Sequence, residues 1–227
     1  MGKFAIPGPL AEPTQRARRH LHGWGALFAC AALAISLGAA GCKSIQPLDT
    51  KPLDGAGMTY DTISQLKALK ITAPEVAQLS TARASGFSDA SCLAVMNAYR
   101  SRGQAFDAGD DIAGLVRAQV SDQTIIELAK MGQLGLSSGE LEAMRLAGLS
   151  DAILLEVARH RAANQPVLAG ASLANLKNAG VRELTLLELA RRGVPDSQAP
   201  AILAFRRHGA TDAQIISHFA PLPAGGF

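Results

Sequence analysis

Gly148-Leu149-Ser150-Asp151-Ala152-Ile153-Leu154-Leu155-Glu156-Val157-Ala158 decides how this chain folds. Gly takes the left-handed backbone that ends a helix. Ser caps the free amides of the next helix. Asp places negative charge at that helix's positive end. The apolar pair that follows begins a buried stripe. The stretch is therefore a turn between two helices.

The same text recurs. Gly86-Phe87-Ser88-Asp89 leads to Cys92-Leu93, and Gln119-Val120-Ser121-Asp122 leads to Ile125-Ile126. Gly180-Val181-Arg182-Glu183 leads to Leu186-Leu187, and Gly209-Ala210-Thr211-Asp212 leads to Ile215-Ile216. The cap positions are spaced by 33, 29, 32 and 29 residues. Nine residues before each cap stand Leu79, Ile112, Leu141, Leu173 and Ile202. Six before stand Ala82, Leu115, Met144, Leu176 and Phe205. Each repeated acid has a helix-start role, so Asp89, Asp122, Asp151 and Asp212 are not read as a metal ladder. Two copies depart from the rule. Gln119 replaces Gly, and Arg182 replaces the capping residue, so that turn is the weakest or is held by something else.

Thr72-Ala73-Pro74-Glu75 and Ser137-Ser138-Gly139-Glu140 are capping boxes that start helices between these turns. Asp196-Ser197, after Gly193 and Pro195, acts in the same sense. The unit is thus a helix pair. The predicted fold is all-α, about ten short helices in helix-turn-helix repeats of roughly thirty residues, as a compact stack or an α-solenoid-like array. Composition agrees, since the 48% of hydrophobic residues is rich in Ala and Leu and only 4% of the chain is aromatic. Both members of each apolar pair are expected in the core, Leu155 and Leu187 among them, with Glu156 and Glu188 outside it.

The N-terminus has another design. Arg16, Arg18 and Arg19 precede an uncharged stretch with the apolar run Ala26–Leu37, which ends in Leu37-Gly38-Ala39-Ala40-Gly41-Cys42. Basic, apolar and small-residue segments in that order make a secretory signal. The Cys after Ala-Ala-Gly resembles the lipobox of bacterial lipoproteins over residues 16–42, with Ala39 where the family usually has Leu. The resemblance implies cleavage between Gly41 and Cys42. It also implies a diacylglycerol on the Cys42 thiol, an N-acyl lipid on its freed amine, and no other cofactor. The mature protein is then held at the membrane by lipid in the cell envelope. Lys43, rather than Asp, implies the outer membrane facing the periplasm in an organism with two membranes. The expected organisation is a signal peptide over 1–41, lipidated Cys42 and a flexible tether over 42–61, the repeat domain over 62–220 and an irregular tail over 221–227. The tether rests on Pro47, Pro52, Gly55 and Gly57 without a helical period.

Charge narrows the partners. Four bases and one acid before Cys42 account for the whole net charge of +3. The remainder is balanced and has no global field to attract nucleic acid. Arg191, Arg192, Arg206 and Arg207 cluster late in the chain and are candidate contacts to an acidic partner or to anionic headgroups. His160, His208 and His218 have no second ligand at metal spacing, and no nucleophile elbow or phosphate loop is present. Cys92 holds an apolar register position and reads as a small buried hydrophobe. No catalytic or metal site is assigned. The expected function is that of a non-catalytic repeat module binding another, unknown envelope protein. The rivals are an envelope hydrolase or its accessory subunit, and contact with peptidoglycan or lipopolysaccharide through the arginines. A deep cleft of titratable groups would mark the hydrolase, and a broad groove with apolar patches the binder.

Overall fold

The computed structural model describes residues 47–135 and 138–219. These residues form twelve α-helices and no strand. The helices are α1 (Lys51–Gly55), α2 (Tyr60–Ala68), α3 (Ala73–Ala84), α4 (Asp89–Ser101), α5 (Gly109–Arg117) and α6 (Asp122–Lys130). They continue as α7 (Ser138–Leu146), α8 (Asp151–Ala162), α9 (Gly170–Asn178), α10 (Glu183–Arg191), α11 (Ala199–Arg207) and α12 (Asp212–Phe219). A 3₁₀ turn, Asp196–Gln198, leads into α11.

Every substantial contact joins a helix to the next one or the next but one. The odd helices stack α1 to α11 in one row and the even helices α2 to α12 in another. The fold is therefore a two-layer helical array, in which each pair buries its face against its neighbours.

The repeated turns connect each odd helix to the following even one. Gly148 has φ of 79°, and Gln119 takes the same left-handed backbone at 62° without being Gly. Ser88 and Ser121 accept the amides of Ser91 and Thr124 at 3.2 and 3.3 Å. Arg182 has the extended backbone of a cap but makes no side-chain cap bond. Of the two predicted capping boxes, Thr72 donates to Glu75 as expected, from its amide at 2.8 Å. Ser137 lies outside the described residues.

The array starts earlier than the sequence reading places it. Thr59 stands 29 residues before Ser88 and accepts the Thr62 amide at 3.4 Å, as a sixth cap. Leu53 of α1 and Met58 are buried. Residues 51–59 belong to the first repeat rather than to a tether. The residues that read as irregular are start and stop signals: Pro52 lies in the first turn of α1, and Gly57 ends it with positive φ. Cys42 and the tail over 221–227 lie outside the described residues.

The register holds in the core. Leu79, Ile112, Leu141, Leu173 and Ile202 are all buried. Ala82, Leu115, Met144 and Leu176 are also buried, while Phe205, in the last repeat, is half-exposed. The apolar pairs divide. Cys92, Ile125, Leu154, Leu186 and Ile215 are buried, but Leu93, Ile126, Leu155, Leu187 and Ile216 are half-buried. The expectation for Leu155 and Leu187 is corrected accordingly. Adjacent helical residues point about 100° apart, so only one of two neighbours can face the core squarely. Leu154→Ala should cost about 2–5 kcal/mol, the range for core truncation. Leu155→Ala should cost less than about half as much, because part of its side chain is already in water. Denaturant melts of the two variants check this, and equal losses would mean the faces are wrongly assigned.

Candidate interaction surface

The repeated acids reach backwards. Asp89 accepts the Thr59 amide at 2.9 Å and the Thr59 hydroxyl at 2.8 Å. Asp122 accepts the Ser88 amide at 3.3 Å and the Ser91 hydroxyl at 2.7 Å. Asp151 accepts the Ser121 amide and the Thr124 hydroxyl, both at 3.0 Å. Glu183 accepts the Ser150 amide at 3.0 Å. In the last rung Arg182 takes the place of the cap and meets Asp212 at 3.2 Å. Each acid thus sits in its own first turn, as expected, and also clamps the turn one repeat earlier. Ser88, Ser121 and Ser150 are donors in this ladder as well as caps. Thr211 has no later acid to meet, and its amide donates to Gln214 at 2.8 Å instead.

A base six residues before the acid completes the joint. Arg83 meets Asp89 at 2.7 Å and donates to the Gly57 carbonyl at 3.1 Å. Arg145 lies 3.7 Å from Asp151 and donates to the Gln119 carbonyl at 3.3 Å. Lys177 lies 3.6 Å from Glu183 and donates to the Gly148 carbonyl. Arg206 lies 3.7 Å from Asp212 and donates to the Gly180 carbonyl at 2.6 Å. The third repeat has Val116 there. These bases were missed in the sequence, although their fixed distance from the acid was visible once the copies were aligned.

A second ladder joins the odd helices at the opposite edge. Gln78 accepts the Gly109 amide at 2.7 Å, Asp111 accepts the Ser138 hydroxyl, and Glu140 accepts the Gly170 amide at 2.5 Å. A side chain at Gly109 would collide with the Gln78 carbonyl, so the small residue permits the approach. Glu75 anchors this edge. It is 1% exposed and is gripped by Arg100 through two bonds of 2.7 Å. It also accepts the Phe106 amide at 2.9 Å.

The electrostatics follow. Burial works against the charge on Glu75, but Arg100 and the Phe106 and Thr72 amides outweigh it and lower the carboxyl to about 2. Burial is likewise overcome at Asp89 by Thr59 and Arg83, and at Asp151 by Ser121 and Thr124, so both stay below the ordinary value. Glu183 is lowered chiefly by its hydrogen bond from Ser150. Burial pushes the Cys92 thiol up to about 12, in keeping with its register position in the core.

The four candidate arginines do not form one patch. Arg191 and Arg192 end an even helix, where Arg191 meets Glu156 at 3.6 Å and Arg192 meets Glu188 at 2.5 Å. Arg206 and Arg207 end an odd helix at the other edge. Arg206 is spent on the ladder, and only Arg207 is exposed and without an ion pair among the described residues. His160 lies 3.2 Å from the Arg191 carbonyl, and His218 stacks on Phe205 at 5.3 Å. His208 is exposed at the end of α11.

With the polar motif engaged inside the array, the outer face of the even row is the largest relief left. Leu93, Ile126, Leu155, Leu187 and Ile216 repeat along it, half-exposed. Leu184, 80% exposed, shares the face of Leu187 one turn away. Glu127–Lys130 and Glu156–Arg159 pairs flank this row at 2.8 and 2.9 Å.

Comparison of the chain with protein-family models, curated proteins and solved structures finds no match. Among the described residues, no helix is long and apolar enough to cross a membrane, and no group of His, Cys, Asp and Glu side chains could hold a metal ion.

The ladder makes stability depend on pH. An unfolded carboxyl takes up its proton near about 4, whereas these folded carboxyls resist protonation to lower pH. Their contribution is whole above about 4 and is lost as pH falls through the folded values, the lowest being about 2 for Glu75. Thermal melts from neutral pH to about pH 2 should show a steady fall in Tm below about 4. Asp89→Asn should lower the neutral-pH Tm and make that fall shallower. An unchanged slope would remove Asp89 from the ladder.

Proposed function

We propose that this protein is a bacterial envelope lipoprotein, tethered by lipid on Cys42, that binds another envelope protein without catalysing a reaction. The observation that carries the reading is the even-row face. Its half-exposed aliphatics recur once per repeat from Leu93 to Ile216, with Leu184 fully outside. Exposed aliphatics in a continuous row suit a protein partner, while the neutralised Glu–Arg and Glu–Lys pairs around them suit a polar rim. The balanced charge of the sequence after Cys42 supports a protein partner over nucleic acid. The lipobox resemblance supports the address. The start of the array at Lys51 shortens the tether that the sequence reading allowed, so the partner is sought close to the membrane.

Two experiments test this. Photo-crosslinking residues placed at Leu155 and Leu184 in living cells should yield a discrete adduct with an envelope protein, and the same residue at Ala77 in the odd row should not. Absence of adducts at the even-row sites, or equal adducts at all three, would contradict the reading. Cells fed a clickable fatty acid should label the wild-type chain, and Cys42→Ala should lose the label and keep its precursor size. Equal labelling would refute the lipid anchor.

A further inference from the structure

The odd row is closed by its ladder everywhere but at one place. Ten residues before the cap stand Gln78, Asp111 and Glu140, and each bonds to the residue twelve before the next cap. At the last joint those positions are Ser172 and Ala199, and no side-chain bond links them among the described residues. Pro200 lies in the first turn of α11. The rung is missing, and the helices part there.

Two hollows lie in the gap between α9 and α11, of about 230 and about 500 Å³. Both are lined by Asn175 and Leu203, so they form one continuous groove. Asp196 stands at the end near the start of α11, and Arg207 at the other. Asn178 lines the Arg207 end, one helical turn from Asn175. One oxygen of Asp196 accepts the Ala169 amide at 2.8 Å, which leaves the second for a ligand.

We infer that this groove binds the extended C-terminal tail of a partner protein, with its terminal carboxylate on Arg207 and a basic side chain on Asp196. An Asn amide donates and accepts at once, as a peptide unit does. Residues three apart on a helix lie about 5–6 Å from one another, close to the two-residue repeat of extended chain, about 6.6 Å. Asn175 and Asn178 therefore meet successive peptide units on one side of a strand. Leu203 offers an apolar floor for the side chain between them. From Asp196 to Arg207 the helix rises roughly 16 Å, the length of about five extended residues. Opposite charges at the two ends fix the direction of the tail. An arginine facing a carboxylate binds it through two parallel bonds, which favours a chain end over an isolated acidic side chain in passing.

This inference rests on the binding-module reading but uses a different face, so its failure leaves the even-row cross-links untouched. The test pans a pool of random heptapeptides with free C-termini against the full chain, then repeats the binding with amidated copies of the recovered peptides. Enriched peptides should carry Lys or Arg four or five residues before the end. Amidation should weaken binding at least about tenfold, the scale of one lost charge-assisted pair. Arg207→Gln should weaken it equally, and amidation should have no further effect in that variant. Asn175→Ala and Asn178→Ala, both at exposed positions, should each weaken binding severalfold without changing the melting curve. No enrichment, or binding indifferent to Arg207→Gln, would overturn the inference. Binding seen only after truncation at Ala220 would also overturn it, since the chain's own tail would then be the occupant.

Discussion

Everything in this fold depends on a carboxylate that leaves its own helix and clamps the turn before it. A cap alone would end one helix and start another, and it would say nothing about where the next pair must sit. The reach from Asp89 to Thr59, from Asp122 to Ser88 and Ser91, and from Asp151 to Ser121 and Thr124 supplies that instruction. Charge-assisted bonds of this kind are among the stronger polar contacts, and each acts only between adjacent repeats. The result is a chain of equal joints, without contacts that return from one end to the other. The joints also account for the balance of charge after Cys42. Most acids of the array are matched by a base from the preceding odd helix or by a turn amide, so little net field is left over.

The sequence made the joints half legible. A fixed spacing of Gly, a hydroxyl residue and an acid was enough to show the turns, and the apolar register told which positions lie deepest. Dipole and capping rules are local, and they explained the acids so completely that the longer reach was not sought. The bases at Arg83, Arg145, Lys177 and Arg206 were hidden for a similar reason, because a charged residue near a helix end has an ordinary solvated reading. The first repeat was missed because Tyr60 stands where an acid would be. No earlier even helix needs clamping there, so the signal that marks the other copies has no work to perform. The second residue of each apolar pair misled in another way. Hydrophobicity along the sequence does not say which of two neighbours a packed helix turns inward.

The exceptions to the pattern carry the function proposed here. Where both ladders are complete, polar groups are consumed and the surface is smooth. Where the odd-row rung is lost, between Ser172 and Ala199, a groove opens with amides along it and opposite charges at its ends. The even row keeps its ladder at the turn edge and presents aliphatics on its outer face. Arginines that look like one cluster in the sequence are separated by the antiparallel path of the helices: Arg206 becomes part of a joint, and Arg207 alone remains for a ligand. The candidate surfaces were thus only partly legible, because they depend on which charged groups the joints have already used.

Hydrogen exchange at single-residue resolution measures the clamp most directly. The Ser121 amide lies at an exposed turn and donates to Asp151 across the repeat boundary. In the Asp151→Ala variant its exchange should accelerate at least about tenfold toward that of an open amide, while the Ser150 amide, held by Glu183, should keep its wild-type rate. Unchanged exchange at Ser121, with loosening confined to α8, would contradict the account: the acids would then serve only their own helices, and another force would have to hold the array together.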